Sequence, residues 1–219
     1  RMPEDVHKAI LSEDFRYTFF ADESRLNQPA VFMFTGQGSQ YAGMTAGLYA
    51  ENPVFKKEID RCSDILKKYL DYDLRSILYP DENSRVFAAN ELAKTEIAQP
   101  ALFTIEFALA QLWIKHGIKP AAFIGHSLGE YVAACLAGVF SLEDALKIVS
   151  LRGRLLQSMP AGAMLSVICS PDELKKYLTP DVSIGVINGP ELCVASGSND
   201  SIKSLEQALH EKGIVCSML

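Results

Sequence analysis

The chain has 219 residues, 48% of them hydrophobic and 22% charged, and a formal net charge of −6. This is enough apolar material to bury a substantial core, as one large domain or two unequal ones. The acidic balance and the absence of a Lys or Arg run exclude a phosphate-tracking nucleic-acid binder, and no stretch reaches the roughly 18 unbroken apolar residues of a membrane span.

Residues 1 to 29 mix charges and aromatics without a sustained period, and Asp22-Glu23-Ser24 through Asn27-Gln28-Pro29 reads as a loop, so this stretch is expected to be a linker. From Ala30 the pattern changes. Val31-Phe32-Met33-Phe34 is a buried strand, followed by the glycine loop Thr35-Gly36-Gln37-Gly38-Ser39-Gln40. Phe55, Ile59, Cys62, Leu66 and Tyr69 then recur at helical spacing. Gln99-Pro100 is expected to open a further helix, with proline at its first position, that runs through Leu102, Ile105, Leu109 and Leu112 to Lys115-His116-Gly117.

Ala121-Ala122-Phe123-Ile124 is a short apolar strand that leads into Gly125-His126-Ser127-Leu128-Gly129. Downstream, Glu130 to Ala137 is a small-residue helix closed by Gly138. A serine between two glycines, with a strand before and a helix after, is a nucleophile elbow: the hydroxyl is exposed on a strained turn and the N–H of Leu128 faces an incoming oxyanion. Ser141-Leu142-Glu143-Asp144 begins the next helix, which reaches about Ser158. Beyond Met159-Pro160-Ala161-Gly162 the elements shorten and read β-α-β-β-α-β, the split pattern of a ferredoxin-like module. The expected architecture is therefore α/β. An α/β-hydrolase-like subdomain with a parallel sheet covers residues 30 to 160, and a ferredoxin-like small subdomain covers 161 to 219.

The elbow needs a base, and the histidines supply it poorly. His7 lies in the linker, His116 closes a helix, and His210 sits beside Glu211 on the polar edge of the last helix. His126 adjoins Ser127, but neighbouring side chains on a tight turn diverge, so it reads as a pocket-lining residue. On the helix from Glu143, periodicity turns Ala145, Ile148, Leu151 and Leu155 to one face with Arg152 in its middle. A buried guanidinium must meet an anion. An internal carboxylate, Glu106 or Glu130, and a substrate carboxylate are equally compatible with the pattern. Gln99 reads either as a polar helix cap or as a substrate contact. Cys62, Cys135, Cys169, Cys193 and Cys216 show no Cys-x-x-Cys spacing and lie in apolar or periodic segments, so they read as free thiols of a reducing cytoplasm, not as metal ligands. Arg1-Met2-Pro3-Glu4-Asp5 starts no secretory signal, and the expected location is cytoplasmic.

Taken together, Phe34-Thr35-Gly36-Gln37-Gly38-Ser39-Gln40, Thr95-Glu96-Ile97-Ala98-Gln99-Pro100-Ala101, Gly125-His126-Ser127-Leu128-Gly129-Glu130, Leu151-Arg152-Gly153, Asn188-Gly189-Pro190 and Ser196-Gly197 resemble the malonyl-CoA:acyl carrier protein acyltransferases. The resemblance is closest to the acyltransferase domains of type I modular polyketide synthases. It implies a seryl-ester transfer of a malonyl-type unit, from coenzyme A to the phosphopantetheine thiol of an acyl carrier protein, with no cofactor of the enzyme's own and no metal. By it, Ser127 is the nucleophile, the backbone N–H groups of Gln37 and Leu128 form the oxyanion hole, Arg152 pairs with the substrate's free carboxylate, and Gln99 and His126 line the pocket. Leu128, where other members carry glutamine, is similar to malonyl-selective members.

The resemblance also implies that residues 1 to 29 are the tail of a ketosynthase-to-acyltransferase linker, with a ketosynthase domain as neighbour. The family's catalytic histidine lies in a segment after the ferredoxin-like module, so the chain is expected to be a piece that stops short of it. The rival expectations are a serine thioesterase or hydrolase, which Arg152 disfavours, and a non-catalytic scaffold fragment.

Overall fold

The structure, a computed structural model, describes residues 29 to 219. The expected linker, apart from Pro29, and His7 with it, lie outside the described residues. The chain divides into two compact units, one ending at Gln157 and the other running from Ser158 to Leu219.

In the first unit, β1 (Ala30–Phe34) and β2 (Pro120–Gly125) pair in parallel, with Phe34 opposite Gly125. Between them the chain forms α1 (Ala46–Glu51), α2 (Pro53–Leu66), α3 (Leu74–Leu78), α4 (Arg85–Leu92) and α5 (Thr95–Lys115). After β2 come α6 (Leu128–Leu136) and α7 (Leu142–Ser158). The start of α2 follows from its cap: Asn52 accepts hydrogen bonds from the N–H groups of Val54 and Phe55, and Pro53 occupies the first turn, where its missing N–H costs nothing. Of its expected stripe, Phe55, Ile59, Cys62 and Leu66 are fully buried against the core, whereas Tyr69 lies half-buried in the turn beyond Leu66. Each large side chain buried this way contributes about 1.5–3 kcal/mol.

Two helix expectations need correction, and β1, expected to be buried, leaves Val31 and Met33 exposed. α5 begins at Thr95, four residues before Gln99, so Pro100 lies inside the helix and Gln99 is no cap. The entry turn is secured from outside, since the N–H of Thr95 donates to Oε1 of Gln157 at 2.8 Å and the N–H groups of Ile97 and Ala98 both reach the carbonyl of Lys94. Proline is commonest in a first turn, which is why the sequence signal points to a start; a helix with 13 buried residues tolerates the one lost backbone bond. α5 is also long and apolar enough to cross a bilayer, yet 72% of its most apolar window is buried within this protein, and core packing accounts for its hydropathy.

The second correction concerns α7, whose buried stripe is Leu142, Ala145, Leu146, Val149, Ser150 and Gly153. Ile148, Leu151 and Leu155 are exposed, and Arg152 sits half-buried at the stripe's edge instead of its middle. Gly153 explains the rotation. A Cβ there would lie 2.9 Å from Cα of Glu96 and 3.0 Å from the carbonyl oxygen of Thr95, so α7 meets the first turn of α5 through its glycine. The Ser141 cap is as expected: its hydroxyl accepts from the N–H of Asp144 and donates to the Asp144 carboxylate.

The second unit carries β3 (Ala163–Val167), α8 (Pro171–Leu174) with a 3₁₀ turn at Lys175–Tyr177, β4 (Val182–Gly189), β5 (Leu192–Gly197), α9 (Asn199–Glu211) and β6 (Cys216–Met218). The antiparallel sheet has the order β4-β5-β3-β6, which is the ferredoxin-like arrangement. Ser170 and Ser198 cap α8 and α9, and Ile202, Leu205 and Leu209 close α9 onto Leu165, Val167 and Ala195. Asn188 lies in β4 of this unit.

Candidate active site

The turn from β2 into α6 has the elbow's strain. Ser127 is at φ 52° and ψ −107°, a conformation that a side-chain-bearing residue rarely adopts. Its glycine neighbours are required by contact. A Cβ on Gly125 would lie 2.2 Å from the backbone N of Glu130, and one on Gly129 would lie 2.4 Å from the carbonyl oxygen of Phe34. The N–H of His126 donates to that same carbonyl at 3.1 Å, so the elbow is locked to the end of β1.

Leu128 is the first residue of α6, and N–H groups of a first turn have no intrahelical acceptor. The helix thus presents a donor and its positive dipole end beside the Ser127 hydroxyl. The loop behind β1 comes close from the other side. A Cβ on Gly36 would stand 3.1 Å from Nδ1 of His126 and 3.6 Å from Cβ of Ser127, so this backbone passes directly over the elbow, and Gln37 follows it. The side chain of Gln37 turns away to donate to Oγ1 of Thr95 at 3.1 Å.

Arg152 reaches the Ser127 hydroxyl. One guanidinium nitrogen donates to Oγ of Ser127 at 3.4 Å and another to Oε1 of Gln99 at 2.7 Å. Its Cζ stands 5.6 Å from the centre of the Tyr131 ring, within cation–π range. Gln99 is 1% exposed, so its acceptor is dry and aimed. Neither acid offered by the sequence as an internal partner meets Arg152. Glu106 binds Thr35, and Glu130 is exposed on α6. Among the described residues the guanidinium is held by a neutral amide and an aromatic face, with Ser127 in front of it. A cation positioned without a carboxylate partner beside an exposed hydroxyl can receive an anionic group.

The structure therefore brings Ser127, Leu128, Arg152, Gln99 and His126 together, with the Gln37 loop above them. Of the other histidines in the described part of this unit, His116 caps the far end of α5. His210 belongs to α9 in the second unit. Two contributors have no role in the sequence-based expectations: Tyr131 lies four residues after Ser127 on α6, and Thr95 lies four before Gln99 on α5. Glu106, expected as a possible partner of Arg152, binds Thr35 instead. The signal was present, since Thr95, Gln99 and Glu106 sit at i, i+4 and i+11 and share one helical face.

Known proteins resemble this chain over most of its length. The model of the acyl transferase domain family matches residues 31–218. The chain is 42% identical over 194 residues to a phenolphthiocerol/phthiocerol polyketide synthase protein of Mycobacterium tuberculosis, covering 89% of this chain and 13% of that protein. It is 40% identical to mycoketide-CoA synthase of the same species, over 84% of this chain and 4% of that one. Among solved structures, the acyl transferase domain of ZmaA superposes with a TM-score of 0.89 at 38% identity, over 99% of this chain and 51% of that one. The malonyl CoA-acyl carrier protein transacylase of Clostridium perfringens gives 0.76 at 28%, over 88% and 60%. The chain thus spans about half the length of the solved ZmaA domain and a small part of the synthases.

Proposed function

The chain belongs to the acyl transferase domain family, and from that membership we propose that it carries the nucleophile and substrate clamp of a polyketide synthase acyltransferase. The reaction is transfer of a malonyl-type unit from coenzyme A to the phosphopantetheine thiol of an acyl carrier protein. The observation that carries the reading is Arg152, which faces Oγ of Ser127 from a neutral cradle of Gln99 and Tyr131.

In the first half-reaction Oγ of Ser127 attacks the thioester carbonyl. A C–O bond forms, and the oxyanion lies between the N–H groups of Leu128 and Gln37. Collapse breaks the C–S bond, and coenzyme A leaves as the free thiol with the proton that Ser127 gave up. In the second, the carrier thiol attacks the seryl ester: a C–S bond forms, the C–Oγ bond breaks, and the thiol's proton regenerates the Ser127 hydroxyl. The base that shuttles the proton is the family's histidine, which the resemblance places after the ferredoxin-like module. The free carboxylate of the extender pairs with Arg152, which sets the acyl chain's direction and favours carboxylated over plain acetyl donors. Leu128 at the elbow supports malonyl over methylmalonyl, and a ketosynthase neighbour in a cytoplasmic synthase completes the proposal.

The test, run on the chain extended through the segment that carries the family's histidine, is labelled malonyl-CoA against labelled acetyl-CoA, with the adduct located by mass spectrometry. Malonyl mass on Ser127 is expected, with Arg152→Ala lowering malonyl loading about 100-fold and acetyl loading far less, the loss of a charge-assisted hydrogen-bond pair. No adduct, or equal losses for both donors, would overturn the reading. Hydrolysis that outruns transfer to a carrier thiol would establish a thioesterase instead.

A further inference from the structure

Glu106 is a carboxylate on an apolar helix, and the chemistry above does not use it. It lines a 620 Å³ cavity whose other walls include Phe32, Phe34, Leu102, Ile105 and Leu109. Oε1 accepts from the N–H of Thr35 at 2.8 Å and from the Thr35 hydroxyl at 2.7 Å, whereas Oε2 is buried with no hydrogen-bond partner among the described residues. Burial pushes the Glu106 carboxyl above its ordinary range, and the two bonds from Thr35 pull it part of the way back. An acid kept at such a site at the cost of an unsatisfied oxygen needs a reason beyond packing.

The reason lies in what Thr35 carries. It is the first residue after β1, and the next two are Gly36, packed over the elbow, and Gln37. The loop is tied to α5 twice, by Gln37 to Thr95 at one end and by Thr35 to Glu106 three turns away. Gln99, on the same helical face, holds Arg152 between those ties. One helix thus fixes the loop and the guanidinium in a common frame around Ser127.

We propose that Glu106 is a positioning residue for the acyl-transfer site: through Thr35 it sets the height of the Gly36–Gln37 peptide over Ser127, and so the placement of the second oxyanion donor. The catalytic consequence rests on the function proposed above, whereas the loop geometry does not. A displaced donor costs transition-state stabilisation, so Glu106→Leu in the full chain is expected to lower the rate of Ser127 acylation about 10- to 100-fold with an unchanged KM for malonyl-CoA. Glu106→Gln, which keeps an acceptor oxygen facing Thr35, is expected to restore most of that rate. Thr35→Val, which removes one of the two donors and leaves the core untouched, is expected to fall between them.

An arm that needs no activity is amide hydrogen exchange. In Glu106→Leu the N–H of Gly38, which Gln40 holds across the loop, exchanges at least about tenfold faster, and the N–H groups of α5 stay protected. Wild-type acylation together with wild-type exchange in both Glu106→Leu and Thr35→Val would overturn the proposal. So would a Glu106→Gln variant as slow as Glu106→Leu. If wild-type Ser127 takes no label at all, the functional reading fails instead, and the exchange arm alone decides the role of Glu106. If Glu106→Leu does not fold, Thr35→Val and Glu106→Gln carry both arms.

Discussion

Gly129→Ala tests the closure of the elbow onto β1. The added Cβ would stand 2.4 Å from the carbonyl oxygen of Phe34, 2.6 Å from its carbon and 2.8 Å from its Cβ. Real Cβ atoms keep at least 3.0 Å, so the gap between α6 and β1 must open by at least about 0.6 Å. Neither side yields easily. Phe34 is the last residue of a strand laddered to β2, and its carbonyl is held by the His126 N–H. Overpacking of this kind costs about 3 kcal/mol, and the better helix propensity of alanine returns about 0.5–1, leaving a net loss of about 2 kcal/mol. For a chain of this length that lowers Tm by about 4–8 °C. The assay is thermal and urea unfolding followed by circular dichroism, with Gly47→Ala beside it. Gly47 lies inside α1 with nothing within 4 Å of an added Cβ, so its alanine variant isolates the propensity term and gains about 0.5–1 kcal/mol. A Gly129→Ala protein as stable as wild type would show that the elbow does not press on β1, and the account of both flanking glycines would fall with it.

Two further outcomes follow from side chains away from the elbow. Hydrogen bonds from the Arg75 side chain lead the effects that hold the Asp73 carboxyl at about 2, below its usual 3.8. A depressed carboxylate stabilises above its unfolded pKa and loses that contribution as pH falls through the folded one. Asp73→Asn keeps the oxygen that caps α3, so it is expected to cost about 1 kcal/mol at neutral pH after discounting for an exposed third of the side chain. The two unfolding curves converge as pH falls from 3.8 toward 2, and a gap that persisted at pH 2 would refute the charge argument. Burial, aided by the nearby Glu58, pushes the Cys62 thiol far up. Iodoacetamide mapping is therefore expected to leave Cys62 unmodified until the protein unfolds, while half-buried Cys216 reacts in native buffer; equal native rates would contradict the packing of α2.

What the sequence disclosed was local in origin. The elbow, the cap at Ser141, and the β-α-β-β-α-β order depend on residue types at short fixed offsets, and these are where sequence and structure agree. The hydropathy pattern turns α7 to the wrong face because leucines and isoleucines occupy two sides of it, and the contact that decides between them is made by Gly153, which carries no hydropathy signal. α3 and α4 leave no readable signal for a related reason: five and eight residues are too few for a period to emerge. The partner of Arg152 is undecidable from pattern. Only the fold shows that Glu106 is engaged by Thr35, 71 residues away, and that Gln99 is the group bonded to the guanidinium.

The backbone at Ser127 has a consequence for anyone who selects this protein for robustness. Its dihedral angles, φ 52° and ψ −107°, carry a penalty of about 1–3 kcal/mol that glycine escapes almost entirely. The thermodynamically preferred residue at this position is therefore the one that has no nucleophile. A library screened on melting temperature or protease resistance alone enriches Ser127→Gly among its winners. Durability and reactivity are opposed at this single site, so a stabilised variant is useful only when its screen also scores the hydroxyl.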